Sequence, residues 1–175
     1  MSDAPGITYQ ATLPLHWEEA TPTDAVLAQA RHGNLVLLQA LATLESAADK
    51  DYDADPAVAK AVERLEAKLD IVLSLLSKLV AQQLEIPTSV PVTLGVRSIQ
   101  WQAAAILPTV GAIIKLSLHL SLKLPEPLRI FARVTAVQGE HYSAEFLDTD
   151  EELEEWITRT LFRYHRRALQ ARHQF

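Results

Sequence analysis

The run Ile114–Leu124, IKLSLHLSLKL, alternates apolar and polar residues without a break. A period of two is the pattern of a β-strand with one buried face. Leu116, Leu118, Leu120 and Leu122 should face a core, and Lys115, Ser117, His119, Ser121 and Lys123 should face solvent. Pro125-Glu126-Pro127 supplies a turn, and Leu128 to Val137 reads as the next strand. Gln138-Gly139-Glu140 signals a hairpin into a strand from His141 to Leu147. On the N-terminal side, Val92, Leu94 and Val96 alternate, and Ile99, Trp101 and Ala103 alternate in the opposite phase. The flip at Arg97-Ser98 predicts a bulge or turn. Consecutive strands with short connections point to an antiparallel sheet or small barrel.

Earlier still, Tyr9 to Trp17 alternates with Tyr9, Ala11, Leu13, Leu15 and Trp17 on one face, a first strand. The period then changes. Thr21-Pro22-Thr23-Asp24 offers a cap at Thr21, a proline at the first helical position and a first-turn carboxylate. A helix follows to Ser46, with Leu27, Ala30, Asn34, Leu37, Leu41 and Leu44 on one stripe and Gly33 inside it. The acidic segment AADKDYDAD, 47–55, reads as a solvated connection to a second helix opened by Asp55-Pro56 and closed by Ile86-Pro87. The short connection predicts an antiparallel helical hairpin.

That second helix carries a heptad. Val62, Leu69, Leu76 and Gln83 occupy a positions, and Val58, Leu65, Val72, Leu79 and Ile86 occupy d positions. The 3/4 spacing keeps one seam facing a partner helix, so these nine residues are the expected self-association surface. Leu73 and Val80 at e and Leu75 at g widen the stripe, and leucine at a with valine at d leans toward four strands. A homotetramer is expected ahead of a dimer. The last helix, Asp150 to Gln174, starts with Asp150, Glu151, Glu152, Glu154 and Glu155 and ends with Arg159, Arg163, Arg166, Arg167 and Arg172. That charge order complements the helix dipole. Leu153, Trp156, Ile157, Thr160, Leu161 and Tyr164 form its apolar face.

Composition bounds the function. Of 175 residues, 49% are hydrophobic and 22% charged, the balance of a globular protein, and a net charge of −6 argues against nucleic-acid and anionic-membrane partners. There is no cysteine, so thiolate chemistry and disulfides are excluded. No apolar run reaches the ~18 residues of a membrane span and no leader is visible, so a cytoplasmic address is expected. Five glycines and no nucleophile elbow leave nothing for a phosphate loop or a hydrolase triad, and no enzyme is expected. No histidine pair has zinc-ligand spacing, so no metal site is expected. Trp101 and Trp156 are read as core.

The order strand, loop, long alternating strand, strand, hairpin and terminal helix resembles the PilZ domain family. The segment 135–167, TAVQGEHYSAEFLDTDEELEEWITRTLFRYHRR, is similar to that family's closing strand and helix, with Phe146 before an acidic turn and an arginine-rich exit. The resemblance covers Pro87 to Arg167, with Tyr9 to Trp17 as the first strand. It implies an α+β chain: a small antiparallel PilZ-like β-barrel with a C-terminal helix and an inserted long helical hairpin. Residues 1–20 would hold the first strand, 21–87 the inserted hairpin and 88–175 the rest of the barrel and the last helix.

PilZ domains typically bind cyclic di-GMP through an N-terminal RxxxR and a D/N-x-S-x-x-G. Here Thr93, Gly95 and Ser98 stand at the three defining positions of the second motif, and none matches. The first arginine of the chain is Arg31. The two RxxxR spacings present, Arg129–Arg133 and Arg163–Arg167, fall in a strand and in the last helix, where solvation explains them. The ordinary site therefore reads as degenerate, and cyclic di-GMP as disfavoured. A barrel with a long helical insertion and degenerate motifs is similar to the atypical, oligomeric members of xanthomonads, whose heptad helices build a tetramer. The resemblance implies a signalling module in the cyclic di-GMP pathway acting through a protein partner in signalling or motility. The alternative is a receptor using non-standard residues around Arg97, Arg129 and Arg133.

Overall fold

The computed structural model describes residues 7–46, 56–83, 86–103, 108–121, 124 and 126–172. Six strands form a closed antiparallel barrel in the order β1-β2-β3-β6-β5-β4. They are β1 (Tyr9–Glu19), β2 (Ser89–Leu94), β3 (Ser98–Gln102), β4 (Ile113–Leu118), β5 (Leu128–Gln138) and β6 (His141–Phe146). Helices α1 (Asp24–Ser46) and α2 (Pro56–Gln83) stand between β1 and β2, and α3 (Glu151–Arg172) follows β6.

The barrel closes on β1. Its first half pairs with β2, down to Pro14 opposite Ser89, and its second half pairs with β4, from Leu15 opposite Leu118. Proline has no N–H to donate, so Pro14 suits the point where the strand changes partners. Its carbonyl still accepts from His119 N at 3.0 Å. Inside the barrel, Val92 faces Trp101 and Leu94 faces Ile99 across β2 and β3, while Trp101 and Tyr142 are neighbours on β3 and β6 with ring centroids 5.3 Å apart. Both of these aromatic residues are buried. The phase flip at Arg97-Ser98 is a tight turn closed by Gly95 N donating to Ser98 O at 2.8 Å. Gly139 takes the left-handed conformation (φ 61°) that the β5–β6 hairpin needs.

The long alternating strand is shorter than its pattern. β4 stops at Leu118, because beyond that point no barrel neighbour continues the ladder; Ser121 and Leu124 form an isolated bridge. Leu122 and Lys123 lie outside the described residues. His119, expected on the solvent face, is buried where the chain leaves the sheet beside Pro14. On β5 the alternation also breaks: Phe131 shares the outward face with Arg129 and Arg133, yet it is buried. A helix covers it.

That helix is α1. Its cap is Thr23, two residues after the expected Thr21: Thr23 Oγ1 accepts from Val26 N at 3.4 Å and Thr23 O from Leu27 N at 3.0 Å. Asp24 is then the first helical residue and sits in the positive first turn. The stripe predicted for this helix, to which the sequence assigned no partner, faces the barrel and α3. Leu37, Leu38 and Leu41 join one core with Leu153, Ile157 and Leu161 of α3, and Asn34 docks on β5. Leu38 was not in the predicted stripe. The last helix follows its predicted face: Leu153, Ile157, Thr160, Leu161 and Tyr164 are buried and Trp156 is half-buried. Asp150 caps it by accepting from Leu153 N at 2.9 Å.

By contrast, none of the α2 residues 56–76, 78 and 79 is buried. The connection 47–55 lies outside the described residues, and so do 84 and 85. Ile86, expected at the last d position, stands beyond the end of α2 and is exposed.

Candidate functional site

Two surfaces compete for a functional reading: the stripe of α2 and the polar side of the barrel. Along α2, Val58, Leu65, Leu69, Val72, Leu76 and Leu79 are each 50–60% exposed, and Ile71 and Leu75 add to them. Val62 is half-buried, and Gln83 is the last residue of the helix. Isolated helices depend on partners for most of their stability in water, and burying one such aliphatic side chain is worth about 1.5–3 kcal/mol. A row of them left open on one helix is the kind of apolar patch that marks interaction sites.

On the barrel, Gln10, Thr12, Thr93, Gln100, His141 and Ser143 border an open depression of about 860 Å³ across β1, β2, β3 and β6. Among the described residues, no arginine or lysine lines it. Thr93 lies opposite Gln100 in the β2–β3 register, and Gly95 and Ser98 meet across the adjoining turn. The three motif positions are thus gathered at one corner. A Cβ on Gly95 would come within 3.1 Å of Ser98 Oγ, a tight contact that the serine side chain would have to yield to. Charge-assisted bonds from arginine or lysine are the strongest a phosphodiester can receive, and the depression offers amides, hydroxyls and His141 instead.

The arginines proposed for a non-standard site are engaged within the chain. Arg97 forks onto Glu154 through Nε (2.7 Å) and Nη2 (2.8 Å), which holds the Glu154 carboxyl below the usual carboxylate range. Arg129 pairs with Glu126, and Arg133 Nη1 donates to Gly111 O at 3.3 Å. The second RxxxR pair is not simply solvated. Arg167 Nη1 lies 3.1 Å and Arg163 Nε 3.8 Å from the Glu45 carboxylate at the end of α1. The Tyr164 hydroxyl is buried nearby without a hydrogen bond of good geometry, and its ring packs on Tyr9 at 5.2 Å. Burial first, and the Glu45 charge second, push both tyrosines above their ordinary pKa.

Sequence reasoning missed this Glu45 cluster, because five of the six barrel strands, β2 to β6, lie between Glu45 and its arginines in the chain. It also missed the role of Asn34, whose side chain clamps the start of β5: Nδ2 donates to Arg129 O at 2.7 Å and Oδ1 accepts from Arg129 N at 2.9 Å. A polar residue inside an apolar helical stripe was the available signal. Among the described residues no cluster of histidine, aspartate or glutamate could hold a metal ion, and no helix is long and apolar enough to cross a membrane.

The comparisons agree with this architecture. Among curated proteins, none matches the sequence. Among solved structures, the chain is similar to a pathogenic protein from Xanthomonas campestris, a tetrameric PilZ domain self-assembled via a helical bundle. The TM-score is 0.73 at 27% identity, covering 96% of this chain and 93% of that one. Residues 38–173 match the family described as atypical PilZ domain, cyclic di-GMP receptor. The match spans α3, all the barrel strands after β1 and the greater part of the helical insertion, and the chain therefore belongs to the atypical PilZ domain family.

Proposed function

We propose that this protein is a non-enzymatic signalling module of the cyclic di-GMP pathway, tetramerised through α2 and acting by protein contacts on barrels displayed in several copies. One observation carries the reading: Val58, Leu65, Leu69, Val72, Leu76 and Leu79 on the apolar stripe of α2 each stand 50–60% exposed. The tetrameric, helical-bundle assembly of the Xanthomonas campestris relative supports it. The cation-free barrel depression supports the further reading that the ligand motifs at Thr93, Gly95 and Ser98 are degenerate.

Sedimentation of the intact chain is expected to give the mass of four protomers, and Leu69→Glu with Leu76→Glu to reduce it. An unchanged tetramer in that double variant would defeat the heptad as the assembly seam. The second reading, a cyclic di-GMP receptor with unusual contacts, is favoured by the description of the family itself. Calorimetric titration with cyclic di-GMP separates the two: no heat is expected, and saturable heat that Arg97→Gln or Arg133→Gln removes establishes the receptor.

A further inference from the structure

The apolar seam of α2 runs between two rows of charge. On a heptad, the c and g positions lie to one side of the a/d seam and the b and e positions to the other. Arg64 and Lys78 at c and Lys68 at g make one flank basic. Glu63 and Asp70 at b and Glu66 at e make the other acidic. Between Pro56 and Gln83 no acid stands on the first flank and no base on the second. Among the described residues none of these charged side chains has an ion-pair partner, and all but the half-buried Glu66 are exposed.

This sorting is unfavourable within one helix. Residues four apart are neighbours on a helix surface, and like charges at that spacing repel. Arg64 and Lys68 are such a pair, and so are Glu66 and Asp70. Sorted rows become favourable against a surface of the opposite order, and another copy of α2 presents one. In a parallel pair the c/g side of one helix meets the b/e side of the next. Equal residue numbers then stand level, which sets Arg64 and Lys68 beside Glu63, Glu66 and Asp70. Further along, Ile71 and Leu75 of the basic flank stand level with Leu73 of the acidic one. An antiparallel pair sets basic against basic and acidic against acidic, which is repulsive. Each helix thus offers one flank to the neighbour before it and the other to the neighbour after, a heterologous contact that closes as a ring.

We propose that Arg64, Lys68, Glu63, Glu66 and Asp70 select the partner of α2 and its direction: another copy of this chain, parallel and in register, basic flank against acidic flank. The proposal rests on α2 being the assembly helix, and it settles what an apolar seam leaves open, since aliphatic side chains pack in either direction. Only residues 84–88 separate α2 from β2. Parallel helices therefore carry every barrel at one end of the bundle, where a partner can engage several at once.

Two charge variants of the full chain test it. Arg64→Glu/Lys68→Glu puts acid on both flanks, and Glu63→Lys/Glu66→Lys puts base on both. Each alone should need about tenfold more protein than wild type to assemble in sedimentation, and an equimolar mixture of the two should assemble as wild type does. The difference should fade in about 1 M salt, which a misfolded variant would not show. Direction is read from Val58→Cys, since the chain has no cysteine of its own. In the parallel ring identical positions meet and should form a disulfide under mild oxidation. In an antiparallel ring they lie about 37 Å apart, and Val58→Cys would link only to Gln83→Cys chains. Charge variants that each assemble as tightly as wild type at low salt overturn the proposal and leave α2 as the assembly helix, and so does a Val58→Cys chain that links only to Gln83→Cys. A monomeric wild type defeats the α2 reading itself, and the proposal with it.

Discussion

At the scale of single residues, Asn34 ties the insertion to the barrel. It is buried, and both ends of its amide are used by the backbone of Arg129. Asn34→Ala removes both partners and leaves a part-buried N–H and C=O of Arg129 behind. Each unsatisfied group costs about 1–3 kcal/mol, so urea unfolding should show a loss of about 2–4 kcal/mol. Tyr164 makes an opposite case. Its hydroxyl is buried without a good hydrogen bond, so Tyr164→Phe should be near neutral at pH 7. Its pKa is raised in the folded protein by burial and by Glu45. The stability tied to that raised pKa is fully present below the unfolded value, about 10, and is lost as pH rises through the folded one. Wild-type protein should therefore lose stability above about pH 10, and Tyr164→Phe should lose less of it, as read by denaturant midpoints on both sides of that pH.

At the scale of elements, α1 shows how far a pattern can be read. The helix lies where its stripe placed it, yet its partners are β5 and α3. Periodicity states which side of a helix is buried and is silent about what buries it. Phe131 held the missing information: an aromatic residue on the polar side of a strand marks where something covers the barrel. The same limit shortened β4 and buried His119, since alternation persists past the last strand neighbour. Gly33 gives a test on this helix. It is exposed, and a Cβ there meets nothing within 4 Å. Gly33→Ala should thus recover the helical propensity that glycine lacks, raising stability by about 1 kcal/mol in thermal or urea unfolding. A loss instead would mean that this glycine faces a partner.

At the scale of the whole molecule, the barrel with α1 and α3 encloses a core, and α2 does not take part in it. A chain assembled through α2 unfolds by mass action, so its unfolding temperature should rise with protein concentration. Scanning calorimetry of wild type over a wide concentration range should show that rise, and Leu69→Glu/Leu76→Glu should flatten it while retaining the near-ultraviolet signal of buried Trp101.

Sequence alone determined the order of strands and helices and the heptad spacing of α2, because each is a local pattern of period. Only the tertiary structure decided that α1 belongs with the barrel, that Glu45 gathers Arg163 and Arg167, and that Arg97, Arg129 and Arg133 are engaged within the chain. These depend on contacts between residues far apart in the chain. No local period encodes them, because packing chooses each partner from many that are chemically equivalent.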